Sequence, residues 1–236
     1  DHQNLVHYYG SFLSGFQLWS ISEFMDCGCC KDALNQLYPS GIDNEILIST
    51  ILKPVLLLLS YLHKDNKAYE YVSPDNILFS TQGDVKMNIP YLLTKELKGS
   101  YIPPEVASNH NSQSEFKGKS QTNSTDKKIT NNQDPTPPPW FEAIARHIKY
   151  EKDEKKTIDI NFSCKIDIWD IGITAIELAT GKTPEIEDIE LIRTKSILPN
   201  HSNLSVLFFD FVNNCIKENP EKRPTAEQLL QHKFIK

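Results

Sequence analysis

Cysteine, tyrosine and carboxylate side chains are the first candidates for chemistry in this 236-residue chain. Its five cysteines are Cys27, Cys29, Cys30, Cys164 and Cys215. An odd number, read as holding no Cys-x-x-Cys pair and no matching histidine spacing, supports neither a disulfide framework nor a zinc site, so reduced cysteines are expected. A reactive thiol in the Cys27, Cys29, Cys30 cluster is one reading, and small buried hydrophobes is the preferred one. The run Tyr69-Glu70-Tyr71-Val72-Ser73-Pro74-Asp75-Asn76 offers two phenols. A phenol with a pKa near 10 is a poor base at neutral pH, so both tyrosines read as packing residues. Asp84, beside Gly83, invites a metal reading that a turn position already explains. The glycosylation-like triplets Asn123-Ser124-Thr125, Asn161-Phe162-Ser163 and Asn203-Leu204-Ser205 are short patterns that arise by chance. Thr136-Pro137 has the pattern of a proline-directed phosphosite, with a plain linker as the preferred reading.

These groups need a folded frame, and the composition supplies one. Hydrophobic residues make up 39% of the chain and charged ones 24%, the signature of a globular protein. Twenty-five basic against 31 acidic side chains leave a net charge of −6, which argues against nucleic-acid or anionic-membrane partners. The most apolar run, Ile46 to Leu62, contains Lys53 and Pro54 and falls short of the ~20 residues of a membrane span, so a buried helix is expected. The sequence opens at Asp1 with neither an initiator methionine nor a signal-like segment and reads as a fragment; reduced cysteines suggest the cytoplasm, with the nucleus as a second compartment.

Tyr8 to Phe12 and Leu18 to Ser22, with Ser14-Gly15 between, predict a β-hairpin. Lys31 to Tyr38 and Glu45 to His63 have helical spacing, the second apolar nearly all round and carrying Pro54, where a kink is expected. Asn76 to Phe79 and Val85 to Met87 predict two strands around a turn at Ser80 to Asp84. From Ser108 to Pro139 the composition turns polar and ends in prolines, too poor in apolar area to offset ordering entropy, so disorder is expected. A short helix at Trp140 to Tyr150 follows. Order is expected again from Cys164, in an apolar helix stopped by Gly181 and Pro184, then in helices at Leu204 to Glu218 and Thr225 to Phe234.

The motifs resemble those of protein kinases, in order. His2 to Phe12 with Leu18-Trp19 is similar to the fourth and fifth kinase strands. Tyr61-Leu62-His63 is similar to the end of the helix before the catalytic loop, and Pro74-Asp75-Asn76-Ile77-Leu78 to that loop's asparagine and the next strand. Pro103-Pro104-Glu105 resembles the APE motif, Asp167-Ile168-Trp169-Asp170-Ile171-Gly172 the central helix motif, and Glu221-Lys222-Arg223-Pro224-Thr225 the C-terminal arginine motif. Gly172 to Gly181 and Ser49 to Lys53 look most like the sterile-20 family, in the branch of SPAK-type stress-responsive kinases and STRAD pseudokinases.

The resemblance implies an α+β protein-kinase-like fold, mostly helical C-lobe with a remnant of the N-lobe sheet. It implies strands 4–5 and hinge in 1–26, the first part of the C-lobe in 27–106, an insertion in 107–160 and the rest of the lobe in 161–236. Aligned on Asn76, the His, Arg and Asp of the kinase catalytic loop fall on Tyr69, Glu70 and Tyr71, and its lysine on Ser73. The DFG positions fall on Ile89, Pro90 and Tyr91. Phosphoryl transfer relies on those two carboxylates, so the resemblance implies no catalytic or metal residues and a pseudokinase that is not an enzyme. It would act as an adaptor or activator of an active serine/threonine kinase, with a helical-repeat scaffold as second partner. Two alternatives stay open: a divergent ATP-dependent serine/threonine kinase, and an interaction domain without a nucleotide site. The implied nucleotide site has Ser22 as gatekeeper, backbone groups of Glu23 and Met25, Leu78 beneath the adenine, and Asn76, binding ATP without magnesium. Glu105 with Arg223 would form a buried ion pair, and Asp167 would cap the catalytic-loop amides.

Overall fold

The computed structural model describes residues 2–15, 17–88, 103–104, 160–198 and 203–236. Strands β1 (Tyr8–Ser14) and β2 (Gln17–Ser22) form the expected antiparallel hairpin, with Phe12 opposite Trp19 and their rings stacked at 6.3 Å. Helices α1 (Cys30–Leu37) and α2 (Glu45–Lys64) follow, the second started by Asn44, whose side chain accepts from the Ile46 N–H. Strands β3 (Ile77–Phe79) and β4 (Val85–Met87) form a second antiparallel ribbon. Asn4 and Val6 hydrogen-bond to Met87, hanging the entry to the hairpin on β4.

The C-terminal part contributes α3 (Ile160–Thr180), α4 (Ile186–Lys195), α5 (Val206–Cys215) and α6 (Ala226–Leu229). Every residue from Asp167 to Thr180 is buried, so α3 is the axis on which α2 and α5 pack. Two glycines permit that packing. A Cβ on Gly172 would come within 2.8 Å of the Cys215 Cβ, so the small residue lets α3 and α5 close up. Gly41, at φ +92°, lies against the Ala179 backbone, where Ile42 donates to the Leu178 carbonyl. Helix α2 runs through Pro54 without interruption and is twenty residues long rather than shorter than a membrane span. Its Ile48, Leu52, Leu56 and Leu59 are fully buried, the arrangement of a core helix.

Several expectations need correction. Helix α3 begins at Ile160, ahead of Cys164, and α5 spans only Val206–Cys215. The helix expected over Thr225 to Phe234 ends at Leu229, because the amides of Gln231 and His232 bond three residues back and His232 Nδ1 takes the Phe234 N–H. Helix α4 was not expected; its signal was the capping pair Glu185 and Asp188 ahead of Ile189 and Ile192. The strand expected from Asn76 starts one residue later, since Asn76 closes a 3₁₀ turn over Pro74–Asn76. The expected disordered stretch and the helix at Trp140 to Tyr150 lie outside the described residues.

Gly41→Ala and Gly83→Ala should separate steric from conformational cost. Both have positive φ, but nothing lies within 4 Å of a Cβ on Gly83, whereas one on Gly41 would overlap the Ala179 carbonyl. Denaturant unfolding should show a loss of about 1–2 kcal/mol for Gly83→Ala and roughly 3 kcal/mol or more for Gly41→Ala; equal losses would contradict this packing.

Candidate functional site

The loop between α2 and β3 is held from below by one buried carboxylate. Asp167, fully buried on α3, accepts the Tyr69 N–H at 2.8 Å and the Glu70 N–H at 2.6 Å, and contacts His63 Nε2 at 2.7 Å. This is the capping role expected of it. The anchored backbone takes a left-handed turn at Glu70, φ +69°, which a residue without such support would avoid. Thr174, about two turns further along α3, donates to the Val72 carbonyl at 3.3 Å.

Tyr69 is buried and its hydroxyl donates to the Asn88 carbonyl at 2.7 Å, while burial pushes its phenol well up. Tyr71 is half-buried against the core, and burial, then the Glu70 charge, raise its phenol too. Both tyrosines therefore stay protonated and pack, as expected. Asn76 is buried; its amide donates to the Tyr71 carbonyl at 2.8 Å and its own carbonyl accepts the Asn88 N–H at 2.8 Å. The amide's bond to Tyr71 orients the side chain, and among the described residues Oδ1, the atom able to hold a hard cation, is in no hydrogen bond.

The hinge lies beside this loop. Glu23 follows β2, with its carboxylate on Lys86 of β4 at 2.5 Å and on the His7 N–H at 3.1 Å, a pairing the sequence reading missed. The alternation Val85, Lys86, Met87 was its signal, since it sends Lys86 to the opposite face of β4 from the two apolar residues. Met25 is buried, and among the described residues its N–H and the Glu23 carbonyl take part in no hydrogen bond. Cys27 N–H bonds the Phe79 carbonyl, Phe79 N–H bonds the Gly28 carbonyl, and Cys29 pairs with Leu78. Glu23 thus reaches β4 through Lys86, and the segment 27–29 that follows Met25 pairs with β3 at Leu78 and Phe79. Asp84 sits in the turn as expected, exchanging hydrogen bonds with Ser80.

Two further expectations change. Cys27 is exposed and Cys29 only half-buried, so of the cluster Cys30 alone is a buried hydrophobe, its thiol pushed up to about 12 by burial. Cys27 and Cys30 do stand at Cys-x-x-Cys spacing, but no metal-holding group of His, Cys, Asp and Glu occurs among the described residues. Arg223 is buried over the Trp169 ring at 5.0 Å and donates to the carbonyls of Lys217 and Lys165 at 2.8 and 2.9 Å. Glu105 and Ile89 lie outside the described residues.

Comparison with known proteins agrees with this geometry. Residues 158–235 match the protein kinase domain. The chain is 34% identical over 243 residues to serine/threonine-protein kinase ppk11 of Schizosaccharomyces pombe, an alignment covering 99% of the chain and 64% of that protein. It is 29% identical over 244 residues to serine/threonine-protein kinase fray2 of Dictyostelium discoideum, covering 100% of the chain and 20% of that protein. The α+β architecture is the protein-kinase fold, and the chain is homologous to serine/threonine kinases.

The relatives overturn one expectation outright. A domain that is not an enzyme was inferred from Tyr71 and Ile89, yet proteins aligned along essentially all of this chain are named serine/threonine-protein kinases. The physical flaw in that inference is local: losing an acid at one motif position does not empty the loop of acids, and Glu70 and Asp75 flank Tyr71 closely in the same segment.

Asp167→Ala should remove three acceptor contacts from the buried loop anchor and cost about 3 kcal/mol or more in denaturant unfolding, with Asp167→Asn losing less. Matching stability of both variants to the parent would contradict the anchor. The Glu23 carboxyl is held below the ordinary glutamate value by Lys86 and then by the His7 N–H. Because the folded value is the lower one, the tie stabilises fully above the unfolded-state pKa and is lost as acid passes through the folded one. An NMR titration of the Glu23 carboxyl should give a midpoint below the free value, and Lys86→Met should move it part of the way back, since the His7 N–H remains.

Proposed function

We propose that this chain works within a divergent, ATP-dependent serine/threonine protein kinase of the sterile-20 kind, moving the terminal phosphoryl group of ATP to a serine or threonine hydroxyl of a protein. The observation that carries the reading is a catalytic-loop backbone pinned by buried Asp167 in a chain aligned end to end with named serine/threonine kinases. Once a loop is rigid, this chemistry asks mainly for positioning and charge.

The residues present suit the nucleotide. The Met25 N–H and the Glu23 carbonyl offer one donor and one acceptor to an adenine edge, and Leu78 supplies an apolar surface. Asn76 Oδ1 is the described oxygen suited to a magnesium ion, which in such enzymes offsets phosphate charge. Tyr71, held protonated, cannot accept the proton of the substrate hydroxyl. Glu70 precedes it, its peptide N–H fixed on Asp167 and its side chain exposed, and we assign to its carboxylate the task of orienting that hydroxyl and taking the proton.

The test is incorporation of labelled phosphate from ATP into a generic protein substrate by the full-length protein, with magnesium or with EDTA. Transfer to serine and threonine is expected. Glu70→Gln should lower it by about 10²-fold or more, Asn76→Ala should lower it comparably, and Asp75→Asn should have a smaller effect. No transfer by the parent protein, or transfer untouched by Asn76→Ala, would reject the proposal.

A further inference from the structure

The hinge after β2 carries two carboxylates, one on either side of Phe24-Met25, and both are tied to the same neighbour. Glu23 accepts from Lys86 of β4 at 2.5 Å, and Asp26 accepts the Thr81 N–H and hydroxyl, in the turn between β3 and β4, at 2.8 and 2.6 Å. Backbone pairing reinforces both ties. The Glu23 N–H bonds the His7 carbonyl at 2.8 Å while its carboxylate accepts the His7 N–H, and the Cys27 N–H bonds the Phe79 carbonyl of β3 at 3.1 Å. The β3–β4 ribbon therefore splints the hinge. The side chains of Lys86 and Glu23 are only 17% and 27% exposed, so salt screens their attraction less than that of a surface pair.

What the splint leaves open is narrow. Glu23 has its N–H and both carboxylate oxygens engaged, so its carbonyl is its one polar group in no hydrogen bond among the described residues. The Met25 N–H is equally open, on a buried residue where an unmade bond is costly. This acceptor and this donor suit a planar edge that offers a donor beside an acceptor, as adenine does with its N6 amine and N1. Guanine presents the reverse, O6 and N1–H. Hydrogen bonds depend on distance and angle, and a tie on each side of Phe24-Met25 fixes both for the two open groups. Resting on the nucleotide reading above, we propose that Lys86 and Thr81 are positioning residues: acting through the Glu23 and Asp26 carboxylates, they hold the Glu23 carbonyl and the Met25 N–H ready for adenine and so set a preference for ATP over GTP. Holding the hinge in its binding geometry beforehand removes the ordering cost from the binding step.

Calorimetric titration of the full-length protein with ATP and, separately, with GTP, each with magnesium, tests this. The parent should bind ATP more tightly than GTP by about tenfold or more, because guanine sets like groups against the hinge. Lys86→Met should weaken ATP about tenfold and GTP less than about twofold, and Lys86→Arg should restore most of the difference. Asp26→Ala, which removes both Thr81 bonds, should shift the ratio the same way by about threefold, since that tie is exposed. In transfer assays the loss in Lys86→Met should fall on the KM for ATP rather than on kcat. A general loss of structure would instead weaken both nucleotides alike, and arginine would not rescue it. Parallel weakening of ATP and GTP, or indifference to Lys86→Met or to Asp26→Ala, would overturn the positioning roles and leave the nucleotide site standing. A parent that binds neither nucleotide would reject the site itself, and these roles with it.

Discussion

A single carboxylate with no access to water organises the functional end of this molecule. Asp167 is fully buried, and removing a charge from water costs several kcal/mol unless donors replace the lost hydration. Here the replacements are His63 and the Tyr69 and Glu70 amides. The requirement runs both ways. The carboxylate needs the loop amides as much as the loop needs the carboxylate, so the end of α2, the loop and α3 form one electrostatic unit rather than three neighbouring segments.

Packing holds that unit in place. Fourteen successive residues of α3 are buried, which is possible only because α2 on one side and α5 on the other present apolar faces at close range. Glycine sets the distances at two of these contacts, Gly172 toward Cys215 and Gly41 toward Ala179. Two residues along α3 from Asp167, Trp169 lies beneath two guanidinium groups, Arg223 at 5.0 Å and Arg193 at 6.0 Å, so the aromatic ring is covered by flat cations instead of water. The helical lobe is thereby a rigid base, and the small ribbons and the hinge rest on its edge.

The loop between α2 and β3 shows how motif positions and side-chain chemistry can part company. The position read as the usual loop acid holds a half-buried tyrosine that burial keeps protonated, while the asparagine five residues on keeps its orienting bond to the backbone of that tyrosine. The chain is homologous to serine/threonine kinases along its whole length, and carboxylates stand in the segment at Glu70 and Asp75.

Much of the frame was legible in the residues because local physics decided it: the hairpin from alternating aromatics around Ser14-Gly15, α2 and α3 from long apolar periodicity, the β3–β4 turn from Gly83-Asp84. The anchoring of the loop by Asp167 came from motif resemblance, and its three donors, drawn from positions 97 to 104 residues away, appear only once the chain is folded. The same holds for Lys86 on Glu23, for the premature end of α6, where a histidine ring captures an amide that a helix would have used, and for which of three adjacent cysteines is buried. Sequence alone determined where helices and strands could form, since that depends on neighbours three or four residues away. Tertiary structure alone decided which polar groups lose water and must find one another, because burial is a property of distant segments meeting.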